Sequence, residues 1–270
     1  MELDVAQPVL LAPGEGEVVV DQPRRTVRLL FAHELLAVTW SQFGPGEPGT
    51  DPHVHRRHTD AFYVLEGELE LMLGPSAQWR SFPAGSFVAI PPNVVHAFRA
   101  ASAGQVRFLN FHAPSEGFAE YLRGENEAFD SYDPPADGAA SVSSAIVSPP
   151  GEGEKLPRGN RFHLIKGQLP HLAAIELGFE LGFEGVAPHM HDDHVDSFFV
   201  LDGSVRFLAG DSGQGSFFAA PPGVEHGFGI ADEEPITVLN IHAPDAGFTD
   251  ELRRASPATG ASNAPGTRGS

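Results

Sequence analysis

Residues Pro52 to Gly67 read PHVHRRHTDAFYVLEG, and residues Pro188 to Gly203 read PHMHDDHVDSFFVLDG. Each stretch places two histidines one residue apart, a third three residues on, an aspartate, and then an apolar run that ends at an acidic residue and a glycine. His53, His55, His58 and Asp60 return as His189, His191, His194 and Asp196 at a constant shift of 136. In an extended segment, side chains at i and i+2 leave the same face about 7 Å apart. His53 and His55 can therefore lean toward one point, and the bend before Asp60 lets the next strand come alongside.

The repetition extends outward from this stretch. Pro13 to Glu17 (PGEGE) recurs at Pro150 to Glu154, and Gly85 to Phe98 (GSFVAIPPNVVHAF) recurs at Gly215 to Phe228 (GSFFAAPPGVEHGF). LNFHAP, ending at Pro114, recurs as LNIHAP, ending at Pro244, now at a shift of 130, so the second copy has lost six residues between its motifs. Two homologous domains follow, residues 1–140 and 141–254. The Pro-, Ala- and Ser-rich run at 133–144 is the expected linker, and residues 255–270 contain nothing to build a core and are expected to be a disordered tail.

Within each copy the periodicity is that of strands. Glu68 to Leu73 alternates polar and apolar residues, as does the shorter run Ser204 to Phe207. The strands opened by Gly85 and Gly215 stop at Pro91-Pro92 and Pro221-Pro222, because proline lacks the donor that a sheet ladder needs. Two stretches have helical spacing: Ser115 to about Phe129, and Asp245 to about Arg254, each starting at a residue suited to capping. The fold class is all-β: many short antiparallel strands with a small trailing helix per unit, closing into a sandwich or jelly-roll barrel.

His96 and His226, beyond the double prolines, must come from another strand of each unit. With them the candidate metal ligands are His53, His55, Asp60 and His96, and His189, His191, Asp196 and His226. Three imidazoles and a carboxylate, with no soft donor, suit Fe(II), Mn(II), Co(II), Ni(II) or Zn(II), one ion per domain. A single His-x-His pair is usually an ordinary surface or core feature, but 10 of the 13 histidines occupy matched positions in the two copies. His58 and His194 are candidates for an acid/base group or a donor behind the ligands, set against an exposed loop histidine as the plainer alternative. Asn110 with His112, and Asn240 with His242, read as a satisfied polar pair at the barrel end or as cavity lining. Phe62, Phe98, Phe198 and Phe228 read as barrel packing, with a pocket wall as the alternative for some of them.

The bulk numbers exclude several classes. A net charge of −19, split as −10 and −9 between the halves, repels nucleic acid and anionic lipid. The chain has no cysteine, which removes disulfides, thiolate sites and cysteine nucleophiles. The N-terminus lacks a signal-peptide pattern, and no apolar run approaches the roughly 18 residues of a membrane span. A soluble cytoplasmic protein is the expectation, and self-association into a homo-oligomer stays compatible with it.

These residues resemble the two motifs of the cupin superfamily. His53-x-His55-x4-Asp60 with the run to Gly67 resembles the first, and Gly85-x5-Pro91 leading to His96 resembles the second. His189, His191, Asp196, Gly203, Gly215, Pro221 and His226 repeat both. The resemblance implies a bicupin: two tandem double-stranded β-helix barrels, each holding a metal by three histidines and an acidic residue. Two departures stand out. The family usually carries Glu where Asp60 and Asp196 stand, one methylene shorter, and the Asn that often follows the second-motif histidine is Ala100 and Ile230 here.

The resemblance to quercetin-dioxygenase-like bicupins implies a metal-dependent dioxygenase acting on a small aromatic or enolic, flavonol-like substrate, with dioxygen as co-substrate. Cupins also include decarboxylases, isomerases, cyclases and non-catalytic metal- or ligand-binding proteins, and these are the alternatives.

Overall fold

A computed structural model describes residues 7–74, 78–135, 144–231 and 234–256. The first half contains β1 (Val9–Leu11), β2 (Glu17–Gln22), β3 (Arg25–His33), β4 (Leu36–Phe43), β5 (Thr59–Glu66), β6 (Glu68–Leu73), β7 (Trp79–Pro83), β8 (Phe87–Ile90), β9 (His96–Ala100), β10 (Val106–Ala113) and α1 (Phe118–Leu122). The second repeats the order as β11 (Ile146–Ser148), β12 (Glu154–Arg158), β13 (Arg161–Leu169), β14 (Leu172–Phe179), β15 (Val186–His189), β16 (Val195–Asp202), β17 (Val205–Phe207), β18 (Gly210–Ser212), β19 (Phe217–Ala220), β20 (His226–Ile230), β21 (Ile236–Ala243) and α2 (Phe248–Ala255). All strand pairings within named strands are antiparallel, as the jelly-roll expectation requires.

Each half folds a seven-stranded sheet against a smaller one. The large sheets run β11-β8-β5-β10-β4-β3-β2 and β1-β19-β16-β21-β14-β13-β12; the small ones are β7-β6-β9 and β15-β20-β17-β18. Their order reveals an exchange. β1 pairs with β19 of the second half, Val9 opposite Ala219, and β11 pairs with β8 of the first half, Ile146 opposite Ala89. The boundary expected at residues 140 and 141 lies outside the described residues, and the sheets interlock across it.

The large sheets are buried on both faces, which is why runs such as Phe62 to Leu65 are apolar without alternation. On β5, Phe62 and Val64 turn into the first barrel with Phe108 of β10, whereas Ala61 and Tyr63 turn outward with Leu109 and Phe111. That outward layer meets its counterpart, Leu172, Ala174, Phe199, Leu239 and Ile241, in one continuous core between the halves. A buried polar group crosses it. The Lys166 ammonium donates to the carbonyls of Gly85 and Pro149 at 3.0 and 2.8 Å and lies 3.4 Å from Glu176, which accepts from the Tyr63 hydroxyl at 3.0 Å.

The glycines ending the first motif are required by shape. Gly67 has φ +74°, and a Cβ there would sit 2.1 Å from the Gln105 carbonyl oxygen; Gly203 has φ +76°, with 2.6 Å to that of Pro235. Gly67→Ala is expected to cost about 1–3 kcal/mol, measured as a lower midpoint in denaturant melts. A change within error would show that the turn relaxes freely.

The helices are shorter than their spacing suggests. The helix expected from Ser115 to about Phe129 is only Phe118–Leu122, and the second spans Phe248–Ala255 rather than beginning at Asp245. Each is entered through a left-handed glycine, Gly117 or Gly247, with no side-chain cap. Ser115 and Asp245 instead accept the N–H of Phe118 and Phe248 through their carbonyls. Gly124, at φ +74°, follows the end of the first helix. Residues 125–133 then return over the barrel mouth. Most of the expected linker and the tail beyond Ser256 lie outside the described residues. Among those described, no helix is long and apolar enough to cross a membrane.

Candidate metal centre

The first motif and the second meet across the small sheet. His53 and His96 exchange backbone hydrogen bonds of 3.0 Å in each direction, and Asp60 lies on β5 facing the barrel interior. The donor atoms of His53, His55, Asp60 and His96 all lie within 4.8 Å of one another. Two donors on a common ion at about 2.1 Å stand at most about 4.2 Å apart, so the group needs only slight contraction. The short carboxylate reaches: Asp60 Oδ2 is 3.2 Å from His96 Nε2 and 3.7 Å from His55 Nε2.

The rings are held by the backbone. His53 Nδ1 is 2.8 Å from the Asp51 carbonyl oxygen, His55 Nδ1 is 2.6 Å from that of Asp130, and His96 Nδ1 is 2.9 Å from that of Val94. A carbonyl only accepts, so each Nδ1 carries a hydrogen and each Nε2 is the nitrogen turned to the centre, that of His96 against Asp60 Oδ2. His55 Nε2 is buried without a hydrogen-bond partner. An unpartnered buried nitrogen beside two more imidazole nitrogens and a carboxylate is the donor set a divalent cation would satisfy. The second barrel repeats it. His189, His191, Asp196 and His226 converge within the same limit, with His189 and His226 pinned on the Ala187 and Val224 carbonyls at 3.0 Å each. His226 Nε2 lies 3.1 Å from Asp196 Oδ2. The two groups can each hold a metal ion.

Protonation favours a cation at His53 and His191, whereas at His226 burial acts downward but Asp196 outweighs it and raises the imidazole. Burial, reinforced by His96 and His55, pushes His53 down to about 3. Burial and His194 lower His191 to about 4. For Asp60 burial works upward, but His112, His55 and His96 outweigh it and hold the carboxyl well below its usual range. The metal-free first site therefore holds a neutral His53 imidazole beside an anionic Asp60.

These buried histidines set an acid limit on stability. An unfolded chain protonates histidine near pH 6.5, whereas in the folded chain burial lowers His53 and His58 to about 3 and His242 to about 4. The unfolded state thus binds more protons in this window, so their contribution is complete above about pH 6.5 and lost as pH falls toward 3. Each group contributes up to about 1.4 kcal/mol per pH unit. Metal-free protein should show a Tm that drops between pH 7 and 5. A flat profile would mean that these rings ionise in place.

Behind the candidate ligands of the first barrel runs a hydrogen-bonded chain of buried side chains. Asp130 Oδ2 lies 2.9 Å from His58 Nδ1, His58 Nε2 2.9 Å from His112 Nδ1, and His112 Nε2 3.0 Å from Asn110 Oδ1. Asn110 Nδ2 donates to Asp60 Oδ1. His58 is thus fully buried rather than in an exposed loop, and Asn110 and His112 are tied to the site rather than to each other alone. Phe118 stacks on His112 at 3.6 Å, as Phe248 does on His242 at 4.0 Å.

Asp130 was not among the residues expected from the sequence. It sits in the segment folded back after α1, and it also accepts from the backbone N–H of Arg56 and Arg57 at 3.1 and 2.8 Å. No motif surrounds it, and its position in the second copy would fall outside the described residues. In the second barrel His194 pairs with the exposed Asp193 instead, and His194 Nε2, His242 Nδ1 and Asn240 Oδ1 are buried without hydrogen-bond partners.

The first site opens on a cavity of about 620 Å³. Phe43, Phe98, Phe108, Phe118, Phe129 and Tyr132 wall it, with Thr39 and Ser41 on one side. Phe98, expected as packing, therefore also forms cavity wall. The second cavity, beside His189, His191 and Asp196, is about 170 Å³.

Comparison with known proteins agrees with this architecture. Residues 39–112 match the cupin domain family. Quercetin 2,3-dioxygenase of Bacillus subtilis is 32% identical over 98 residues, which are 36% of this chain and 28% of that protein, so the match spans little more than a quarter of the curated relative. Oxalate decarboxylase from Bacillus subtilis, in its structure at pH 4.6, superposes with a TM-score of 0.58 over 88% of this chain and 76% of its own, at 14% identity. A tryptophan-to-phenylalanine variant of that enzyme gives 0.58 over 88% and 77%, also at 14% identity. At that identity the likeness is one of fold. Two jelly-roll barrels in one polypeptide, each enclosing three histidines and an aspartate from the same two motifs, give this chain the bicupin fold, with a cupin domain matched over residues 39–112.

Proposed function

We propose that this bicupin is a metal-dependent dioxygenase whose first barrel acts on a small aromatic or enolic substrate of flavonol type. The observation that carries the reading is the aromatic-walled cavity of about 620 Å³ opening directly on His53, His55 and Asp60. Its volume lies in the range of about 300–1,000 Å³ typical of sites for small organic ligands. The name of the Bacillus subtilis relative supplies the reaction class.

On this reading His53, His55, Asp60 and His96 hold one divalent transition metal, and His189, His191, Asp196 and His226 hold a second. The ion, when bound, supplies Lewis-acid polarisation of a chelating oxygen and a path for electrons to dioxygen. The chain's own residues do the rest. Asn110 fixes the rotamer of Asp60, the phenylalanines exclude water and orient a flat ring, and Phe129 closes the wall against His55 and His112 at centroid distances of 5.7 and 5.9 Å. Dioxygen uptake on flavonols and catechols, with Fe, Mn, Co and Ni supplied in turn, tests it. Silence in every combination would remove the dioxygenase reading.

A non-oxidative reaction is the second reading, a decarboxylation, isomerisation or cyclisation. The observation in its favour is His112, which lines the cavity and hydrogen-bonds through His58 to Asp130, placing a proton-transfer group beside the substrate. Turnover under strict anaerobiosis would favour it.

A further inference from the structure

The two barrels carry the same donor set beside very different volumes, about 620 Å³ and about 170 Å³. The smaller value falls below the range of organic-ligand sites. It is the space of five or six waters at about 30 Å³ each.

The difference is written on matching strands. On β4, Thr39 lies opposite Asn110 and Ser41 opposite Phe108 of β10. On β14, Ile175 lies opposite Asn240 and Leu177 opposite Val238 of β21. The neighbouring strand adds a third change: Ser41 faces Val27 across β3, whereas Leu177 faces His163 across β13. Thr39 and Ser41 border the first cavity, Leu177 and His163 border the second, and Ile175 is fully enclosed in the second barrel's core. Two small polar residues and a valine in the first barrel match larger residues in the second at three positions on adjoining strands. Phe108 to Val238 runs in the opposite sense and does not restore the space.

We infer that the second barrel is a metal-only site, whose ion is completed by water, and that the first barrel alone admits an organic ligand, with Thr39 and Ser41 presenting hydroxyls to it. The inference rests on the function proposed for the first cavity and assigns a separate task to each copy of one motif. Two hydroxyls on a wall rich in phenylalanine fit a ring bearing oxygen substituents, which can pair with them as an apolar ring cannot. Ile175 and Leu177 offer no such partner. The second ion then acts on stability, because a ligand bound only by the folded state raises it by mass action.

The full chain loaded with Co(II) is titrated with a flavonol, followed by the visible absorption change on chelation and by calorimetry, with metal counted by elemental analysis. The expected result is two metals and one flavonol per chain. The T39I/S41L variant should keep two metals and bind flavonol at least about 100-fold more weakly, while its Tm reports whether it folds. I175T/L177S should raise the flavonol count above one. Two flavonols per wild-type chain would overturn the inference whatever the variants do, as would undiminished binding by folded T39I/S41L. One metal per chain would overturn the metal half. No flavonol bound by fully loaded wild type would overturn the proposed function and the ligand half together, leaving the metal count standing.

Discussion

Replacing His96 by alanine is expected to reduce the metal content from two ions per chain to one and to lower turnover by about 10³-fold. His96 supplies one of four donors, and its backbone, hydrogen-bonded to His53, survives the substitution. The loss should therefore be chemical, with the fold intact by circular dichroism. His226→Ala makes the corresponding change in the second barrel. It too should remove one ion, but its principal effect should be a lower Tm in the metal-loaded protein. Equal losses of turnover in the two variants would show that both barrels take part in the reaction.

Asp130→Ala is expected to be the most damaging change outside the ligands. Asp130 is 1% exposed, and its carboxylate receives the Arg57 N–H at 2.8 Å and faces His58 at 2.9 Å, while its carbonyl holds His55 at 2.6 Å. Truncation leaves buried groups unpaired, at a cost of roughly 2–5 kcal/mol. It also loosens His55, which should weaken metal binding by about 10–100-fold. Asp130→Asn separates the two effects. With its amide oxygen in the position of Oδ2, where the Arg56, Arg57 and His58 Nδ1 contacts are all made, it still accepts from them without the charge, so stability should largely return. Comparable damage from both variants would mean that the charge, rather than the hydrogen bonds, maintains the site. Denaturant melts and metal titration measure the two quantities separately.

The convergence of the candidate donors was legible in the sequence because spacing encodes it. The i, i+2 histidines share a face, the aspartate follows after a bend, and the double prolines mark where the strand leading to His96 must turn. Barrel architecture was legible in the same way, from strand-length runs and their repetition. Asp130 was not, because it reaches His58 from 72 residues away through a segment whose course is set by Gly124 rather than by a motif. The helix expected to run to Phe129 failed for the same reason, since helical spacing records which residues are apolar and not where a left-handed glycine ends the turn. Nor were the unequal cavities foreseen. Thr39 and Ile175 lie outside both motifs, and their significance appears only when strand registers set them beside Asn110 and Asn240.

The reciprocal placement of β1 and β11 bears on how the protein can be taken apart. Cutting the chain between the repeats would leave the first fragment with β1 and no β19 to receive it, while its own β8 edge lost Ile146 to Ser148. An uncovered strand edge is a template for pairing with other chains, and the outer faces of both large sheets would be stripped of their shared apolar layer. Isolated repeats should therefore aggregate, whereas two fragments expressed together should complement one another. Unfolding of the intact chain should proceed as a single cooperative transition rather than as two. An ancestral duplication has become one folding unit, in which neither copy is a module that can be lent to another protein.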